Sequence, residues 1–160
     1  MDNLLGLLKQ NARLSIKELA VLLNQSEEVV VKALDAYEKQ GIIKGYQAIL
    51  NYEKMDLAPV FALIELKAQP KKELGFQEVA DRVMAFEEVE SVYLMAGDYD
   101  LAILVRGKTI QDVAMFVAKR LSTLDSVLAT STHFVLTRYK QDGIVLRDEE
   151  ADELRGQLVV

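Results

Sequence analysis

A short acidic stretch near the middle of the chain carries residues suited to bind a small charged ligand. Asp98 and Asp100 follow Gly97 closely, and their carboxylates can receive an ammonium group. The backbone N–H groups of such a turn can receive a carboxylate. Together these groups suit an α-amino acid, with further hydroxyl groups from Thr130 and Thr132. The second interpretation is an ordinary Gly-Asp hairpin turn with solvated carboxylates and a positive φ at Gly97.

The residues that can position basic side chains on a nucleic acid lie near the start of the chain. Ser15 and Glu18 form an S-x-x-E capping box, which predicts that a helix begins there. Leu19, Ala20 and Leu23 give this helix one apolar face. The Asn-Gln pair that follows interrupts the pattern and predicts a tight turn.

A second helix is predicted to begin after Ser26, which can cap it, and to end at Gly41 in a left-handed conformation. Glu27 and Glu28 fall in its first turn, where they complement the helix dipole. Two helices joined by a tight turn predict a helix-turn-helix, whose second helix enters the DNA major groove. The alternative is a helical hairpin used only for oligomerisation. The predicted DNA-binding residues are Arg13, Lys17, Ser26, Val29, Lys32, Lys39 and Lys44.

Charge is divided unevenly along the chain. The formal net charge is −6 at pH 7, yet residues 1–54 hold seven basic and seven acidic residues, and residues 55–160 hold twelve and eighteen. A DNA-binding head without net positive charge binds DNA weakly, because neutralisation of phosphates by basic side chains supplies most non-specific affinity. We therefore expect that one copy binds DNA poorly and that several linked copies are needed.

The remaining segments predict an α+β protein with two domains. Residues 4–8 predict a helix that completes a three-helix core, and residues 42–50 predict a strand or a wing. From residue 59 the pattern alternates in the order βαββαβ, which is the ferredoxin-like arrangement. Strands are predicted at 60–68, 89–96, 99–105 and 126–139, and helices at 76–84 and 110–121. The predicted parts are a winged helix-turn-helix domain at 1–51, a linker at 52–58, a ferredoxin-like domain at 59–141 and an acidic tail at 142–160.

In a ferredoxin-like domain both helices cover one face of the sheet, so the other face is left bare. A solvated face should alternate to polar residues. Because this one is apolar in several places, we expect two copies to pack sheet against sheet. The alternative is scattered apolar residues on the surface of a monomer. The apolar residues of the bare face are predicted to be Phe61, Leu63, Tyr93, Met95, Ala102 and Leu104.

Composition narrows the class of protein further. The chain has 160 residues, of which 51% are hydrophobic, and no cysteine, so neither disulfides nor a thiolate metal site are predicted. We find no signal peptide and no apolar run of membrane-spanning length. These features predict a soluble, cytoplasmic protein without a cofactor or metal. The acidic tail predicts a solvated terminus; the alternative is a tail that competes with DNA for the basic side chains.

Enzyme signatures are weak. The one histidine, His133, lies on an alternating predicted strand. The sequence shows no metal-ligand spacing, no glycine-rich phosphate loop and no nucleophile–base spacing. We therefore predict no catalytic residue.

Four motifs, taken together and in order, resemble the Lrp/AsnC (feast/famine) transcription regulators. They are Asn11–Ser15, Glu18–Ala20, Gly41–Tyr46 and Gly97–Asp100, and the match runs in register from about residue 2 to residue 140. The resemblance implies a head that binds double-stranded DNA and an effector-sensing ferredoxin-like domain. It also implies dimers formed through the sheet, often octamers, with a small ligand, usually an amino acid, between dimers. The implied ligand-binding residues are Ala96, Gly97, Asp98, Tyr99, Asp100, Thr130 and Thr132.

The sequence departs from the family pattern in two regions. Ala33 and Ala36 stand where arginine is common in the recognition helix, which leaves little means of bidentate guanine reading, while Lys32 remains a candidate for contact with phosphate or base. Sequence specificity is then low, or it comes from DNA shape and multiple sites. Met95 and Ala96 stand where a threonine is usual, which leaves the identity of the ligand open.

The predicted function is a DNA-binding transcription regulator whose assembly and DNA affinity respond to a small ligand. The alternative is a relative of the same fold that does not bind DNA. It would be either a ligand-sensing oligomer or an enzyme similar to the sirohaem decarboxylases, in which a histidine does chemistry.

Overall fold

The computed structural model describes residues 3–70 and 75–147, which divide between two compact units, residues 1–49 and 50–160. The first unit contains α1 (Asn3–Gln10), α2 (Ile16–Leu23) and α3 (Glu27–Lys39). These are the three helices predicted from hydrophobic spacing and capping residues. Their apolar stripes meet in a small core. Its buried members are Leu4, Leu19, Ala20 and Val30.

The chain leaves α3 through the predicted left-handed glycine. Gly41 has a φ of 70°, and the N–H of Ile42 donates to the carbonyl of Tyr37 at 2.9 Å, which closes the end of the helix. Residues 43–50 form no strand within the part of the chain that the structure describes. The strand alternative is therefore wrong, because no neighbouring segment of the unit supplies a ladder of hydrogen bonds, and the wing alternative remains.

A side chain of the wing, residues 42–50, forms a hydrogen bond with α3. The hydroxyl of Tyr46 donates to a carboxylate oxygen of Glu38 at 3.1 Å. Burial of the hydroxyl, followed by this hydrogen bond and the negative charge of Glu38, raises the pKa of Tyr46 above its ordinary value.

The second unit contains β1 (Val60–Ala68), α4 (Gln77–Met84), β2 (Val89–Leu94), β3 (Leu101–Gly107), α5 (Ile110–Phe116) and β4 (Val127–Phe134). Its four strands form an antiparallel sheet with the order β2-β3-β1-β4. The elements follow in the order βαββαβ, so the predicted ferredoxin-like fold is confirmed. The helix α5 continues into a π-helical segment, Val117–Leu121.

Both helices pack on one face of this sheet. Alternate residues of β1 and β3 point into the core, because successive side chains of a strand face opposite ways. One residue at an end of each predicted helical stripe is not buried in this core: Met84 is 53% exposed and Ile110 is 59% exposed. The buried core consists of Ala62, Ile64, Leu66, Ala68, Val79, Val83, Leu101, Ile103, Val105, Val113, Phe116 and Leu121.

The ends of three strands differ from their predicted positions. The strand β2 stops at Leu94 and β3 starts at Leu101, so the connection between them is longer than the predicted Gly-Asp turn. The N–H of Met95 donates to the carbonyl of Asp100 at 2.8 Å, which closes this connection next to the last strand pair, Leu94 and Leu101. The strand β4 stops at Phe134, short of the predicted end at residue 139.

A hairpin that the sequence analysis missed follows β4. It consists of β5 (Lys140–Gln141) and β6 (Ile144–Val145). The turn residues Asp142 and Gly143 have φ values of 48° and 92°, as a type I′ turn requires. The Asp-Gly pair was the available signal. The segment predicted as an acidic tail therefore begins within a hairpin, and its acidic residues 148–153 lie outside the described residues.

The helix-free face of the sheet is narrower than predicted. Phe61 is buried, because the guanidinium carbon of Arg138 lies 3.5 Å from its ring centroid and the ring of Tyr52 lies 5.1 Å away. Arg138 is itself held by Gln141, whose amide oxygen accepts from the guanidinium at 3.1 Å. Ala102 is also buried. The predicted exposure of Phe61 and Ala102 is therefore wrong. For Phe61 the reason is that Arg138 and Tyr52, which are distant from it in sequence, cover its ring.

The rest of the helix-free face carries both apolar and polar side chains. Leu63 is 39% exposed and Tyr93 is 57% exposed. Beside Leu63, the Nε2 atom of His133 lies 3.1 Å from a carboxylate oxygen of Glu65 and 3.1 Å from the hydroxyl of Ser131. The free face, defined here as the helix-free side around Leu63 and Tyr93, thus keeps an apolar surface next to a hydrogen-bonded polar group.

Candidate functional site

The turn between α2 and α3 is closed by local hydrogen bonds. Asn24 adopts a left-handed conformation, with φ 52° and ψ 47°, and ends α2. The N–H of Gln25 then donates to the carbonyl of Ala20 at 2.9 Å. Ser26 caps α3, because its hydroxyl oxygen accepts the N–H of Val29 at 3.4 Å. This geometry fixes the direction in which α3 leaves the turn.

The capping box predicted at the start of α2 is present in both directions. The N–H of Glu18 donates to the Ser15 hydroxyl at 3.2 Å, and the N–H of Ser15 donates to the Glu18 carboxylate at 2.8 Å. The bond from the Ser15 backbone and a second one from its hydroxyl lower the pKa of Glu18 below its ordinary value of 4.5.

We expect Ser15→Ala to lower the free energy of unfolding by about 1 kcal/mol, the usual effect of a lost N-cap. Because the folded-state pKa of Glu18 is lowered, its contribution is present above pH 4.5 and is lost as the pH falls through the folded value. Urea unfolding followed by helical circular dichroism should therefore show a difference between variant and wild type that shrinks in acid. Ser26→Ala is the control, because its cap lacks a glutamate partner; a Ser15→Ala difference that stays constant well below pH 4.5 would contradict this account.

All the predicted DNA-binding residues lie at the surface of the first unit. The side chains of Arg13, Lys17, Lys32, Lys39 and Lys44 are exposed. None of these cations forms an ion pair with another residue that the structure describes. They are therefore available for phosphate groups.

The solvent side of α3 carries both signs of charge. Glu28, Lys32, Asp35 and Lys39 follow one another at spacings of four, three and four residues, so they form one stripe along the helix. All four side chains are exposed. Because the signs alternate, this stripe adds little net attraction to DNA, in line with the neutral charge balance of residues 1–54.

The predicted ligand residues centre on the connection between β2 and β3, residues 95–100. Ala96, Gly97 and Asp98 are exposed, and Tyr99 and Asp100 are half-buried. Gly97 does not have the predicted positive φ; among the described glycines that conformation occurs at residues 41, 75 and 143. The expectation for Gly97 was wrong because the longer connection reverses the chain without a left-handed residue.

The two aspartates of this connection have different surroundings. A carboxylate oxygen of Asp100 accepts the N–H of Ala68 at 2.8 Å, and the N–H of Asp100 donates to the carbonyl of Leu66 at 2.9 Å. Asp100 therefore holds the connection against the end of β1. Asp98 has no such partner among the described residues, so its carboxylate is free to receive a ligand.

The register of β4 places the two threonines on the helix-covered face. Thr130 is paired with Leu66 and Thr132 with Ile64, and both partners are buried core residues. The N–H of Asp100 bonds to Leu66 from the other side, so Asp100 and Thr130 lie on opposite sides of the same residue of β1. Two strand spacings separate Asp100 from Thr130, which is about 10 Å. The structure thus brings Thr130 to the same end of the sheet as the connection, and Thr132 lies one pleat farther away.

A groove that the sequence did not indicate lies at the other end of β1 and β3. Its volume is about 920 Å³, and its walls include Met55, Leu57 and Met115. Its lining carries charge of both signs: Arg106, Lys108, Lys119 and Arg120 stand beside Glu87, Glu88 and Asp112, and Arg120 forms an ion pair with Glu88. A groove with apolar walls and side chains of both charges is a second place for a small zwitterionic ligand in this unit.

Two searches of the described residues bear on other classes of protein. No group of three or more His, Asp or Glu side chains is arranged to hold a metal ion within residues 3–70 and 75–147. No helix in the same ranges is long and apolar enough to cross a membrane.

The two units correspond to two known domain families. Residues 3–44 match the winged helix-turn-helix DNA-binding domain, and residues 61–145 match the Lrp/AsnC ligand binding domain. The chain is thus a transcription regulator that combines a DNA-binding domain with a ligand-binding domain. It belongs to the Lrp/AsnC family.

Individual relatives agree with this assignment. The uncharacterized HTH-type transcriptional regulator YugG of Bacillus subtilis is 42% identical, over 94% of this chain and 91% of its own. The HTH-type transcriptional regulator LrpA of Pyrococcus abyssi is 30% identical, over 86% of this chain and 94% of its own. A transcriptional regulator of Neisseria meningitidis, solved in complex with L-Met, superposes with a TM-score of 0.71 at 25% identity, over 86% of this chain and 88% of that one.

Proposed function

We propose that this chain regulates transcription in the cytoplasm by placing α3 in the major groove of double-stranded DNA, and that an amino acid bound by the second unit changes its affinity for DNA. The observation that carries the proposal is the capped helix-turn-helix, whose exposed cations have no ion-pair partners among the described residues. Lys32 and Lys39 on α3, with Arg13, Lys17 and Lys44 around it, contact phosphates.

A single head of this kind binds weakly, so assembly supplies affinity. The free face around Leu63 and Tyr93 pairs two copies sheet against sheet, and further association of dimers brings up to eight heads onto one DNA. Linked heads bind at a high effective concentration, which raises the overall affinity without new contacts.

The ligand acts at the connection between β2 and β3. Asp98 receives the ammonium group of an amino acid, and exposed N–H groups of the same connection receive its carboxylate. The L-Met complex of the Neisseria meningitidis relative supports an amino acid as the ligand class. Binding there shifts how dimers associate and therefore how many heads reach DNA together.

The proposal is tested by titrating the purified protein with duplex DNA from upstream of its own gene at two salt concentrations. A duplex of random sequence is the control. We expect binding that prefers the upstream sequence, weakens steeply with salt and changes when amino acids are added. If no duplex binds even at low salt, the DNA-binding function is wrong. Direct ligand binding, and visible absorption from sirohaem, would then be measured instead.

We expect Lys32→Ala to reduce the dependence of log K on log salt by about 0.9 for each copy that contacts a phosphate. The ammonium group of Lys32 is exposed in the middle of α3, where one counterion is displaced per contact. Lys108→Ala is the matched control, since it removes the same charge from the second unit. An equal change of slope in both variants would mean that the effect is only one of net charge.

A further inference from the structure

Two branched apolar side chains in the first half of α3, Val29 and Val31, are partly exposed to solvent, and Val29 is the nearer to the start of the helix. Val29 is 47% exposed, whereas its neighbour Val30 is fully buried in the core of the unit. Exposed hydrocarbon is unfavourable in water, by roughly 25 cal/mol for each Å². A single exposed valine is common on protein surfaces, so its position on the helix decides whether it can act.

Val29 belongs to a stripe of small apolar side chains. Val29, Lys32, Ala33 and Ala36 follow one another at the i, i+3, i+4 and i+7 positions, so they lie on one side of α3. Lys32 is exposed, and Ala33 and Ala36 are half-buried. In a helix-turn-helix the N-terminal residues of the second helix contact base edges. Val29 stands at this end of the helix, next to its cap, Ser26.

The side chains of α3 limit what this stripe can read. The helix has the sequence EEVVVKALDAYEK, which contains no Arg, Asn or Gln. Lys32 is the one side chain of the stripe that can contact guanine, and the helix lacks the guanidinium fork and the amide that read guanine and adenine bidentately. Its carboxylates are repelled by the phosphates of DNA. Ala33 packs against the core of the unit, so at the start of α3 the stripe offers the methyl groups of Val29 beside the ammonium group of Lys32.

We propose that Val29 reads the C5-methyl group of thymine in the major groove. Thymine is the base that presents a methyl group there, and apolar contact with that group is an established form of base recognition. The recognised DNA is then rich in A·T pairs at the positions facing the start of α3, and Lys32 anchors the adjacent phosphate. This inference rests on the proposed function, because it needs α3 in the major groove.

The test replaces thymine by uracil, which removes the methyl group and keeps the base-pairing atoms. The tightest duplex is selected from a randomised library by the full chain and then synthesised with deoxyuridine at every thymine. We expect the wild type to bind the uracil duplex more weakly, by roughly fourfold for each methyl group contacted. In Val29→Ala the two duplexes should bind almost equally.

Val31→Ala is the matched control. Val31 lies on the same helix, is 41% exposed and points to a different side of α3 from Val29. It should keep the wild-type preference for thymine, and circular dichroism should show that both variants remain folded.

Equal binding of the thymine and uracil duplexes by the wild type would overturn the inference and leave the DNA-binding function standing. A thymine preference unchanged in Val29→Ala would also overturn it, since the preference would then come from DNA shape or another residue. Failure to select any duplex at low salt would overturn both the inference and the proposed function.

Discussion

Leu63→Asp should convert the proposed sheet-against-sheet dimer into a monomer. Leu63 lies in the middle of the free face, directly opposite Leu104 on one neighbouring strand and His133 on the other. In a dimer that packs sheet against sheet, an aspartate at this position would bury a second carboxylate close to Glu65, and the neighbouring His133 is already hydrogen-bonded to Glu65. The penalty for such a charge is several kcal/mol, so we expect the dimer dissociation constant to rise by about 100-fold or more.

The monomer itself should survive the substitution. Leu63 is 39% exposed in the isolated chain, so replacing it leaves no large cavity in the core. Analytical ultracentrifugation over a range of concentrations measures the dissociation constant, and circular dichroism confirms the fold. Ile110→Asp is the matched control, because Ile110 is also an exposed aliphatic residue but lies on α5, which packs on the opposite side of the sheet.

Three results of this experiment have different meanings. Loss of the dimer in Leu63→Asp alone supports the free face as the interface. Equal loss in both variants would point to a general effect of added acid, and a persistent dimer in both would place the interface elsewhere. Because linked heads supply affinity, the monomer should also bind DNA much more weakly at equal protein concentration.

Features that depend on neighbouring residues in the chain were predictable from the sequence. The Ser15–Glu18 box, the Ser26 cap and the left-handed Gly41 each involve contacts within a few residues, and all are present in the structure. The same is true of the inward-facing residues of β1, because alternation along a strand is a local property. These local signals were enough for both domain folds.

Features that depend on distant segments were not predictable in the same way. Phe61 looked exposed because its strand alternates, yet Arg138 and Tyr52 cover its ring. Residues 42–50 contain β-branched and aromatic residues, but a strand needs a partner, and the described unit offers none. The Asp142–Gly143 hairpin did carry a local signal, which was outweighed by the acidic residues that follow it.

The candidate ligand site illustrates the same division. The residue types identified Asp98 and Asp100 as a pair of equivalent carboxylates. The structure distinguishes them, because Asp100 accepts the N–H of Ala68, a residue 32 positions away in the chain. No pattern within the 97–100 motif indicates that contact, since it arises only when β1 and β3 lie side by side.

Asp98→Ala should therefore lower the affinity for the ligand, whereas Asp100→Ala should lower the stability of the fold. In Asp98→Ala we expect the affinity for an amino acid to fall by about 10- to 100-fold, because a charge-assisted hydrogen bond contributes about 1.5–3 kcal/mol. The free energy of unfolding should be unchanged, since the carboxylate of Asp98 is exposed and bonds to no described residue. In Asp100→Ala the N–H of Ala68 loses its acceptor, and the protein should lose about 1–3 kcal/mol of stability.

Calorimetric titration with a panel of L-amino acids, paired with urea unfolding of each variant, separates the two roles. Each variant is the control for the other, because both remove one carboxylate from the same connection. If Asp98→Ala bound the amino acid as tightly as the wild type, the connection between β2 and β3 would not be the site.

The groove lined by Met55, Leu57 and Met115 would then be the next place to test, through Lys119→Ala. In the groove Lys119 would hold the carboxylate of the ligand. At the connection Asp98 holds the ammonium group, and the carboxylate meets only backbone N–H groups, which an uncharged carbonyl oxygen also satisfies. An amide-capped amino acid, which keeps the ammonium group and lacks the carboxylate, should therefore retain more affinity for the Asp98 site than for the groove.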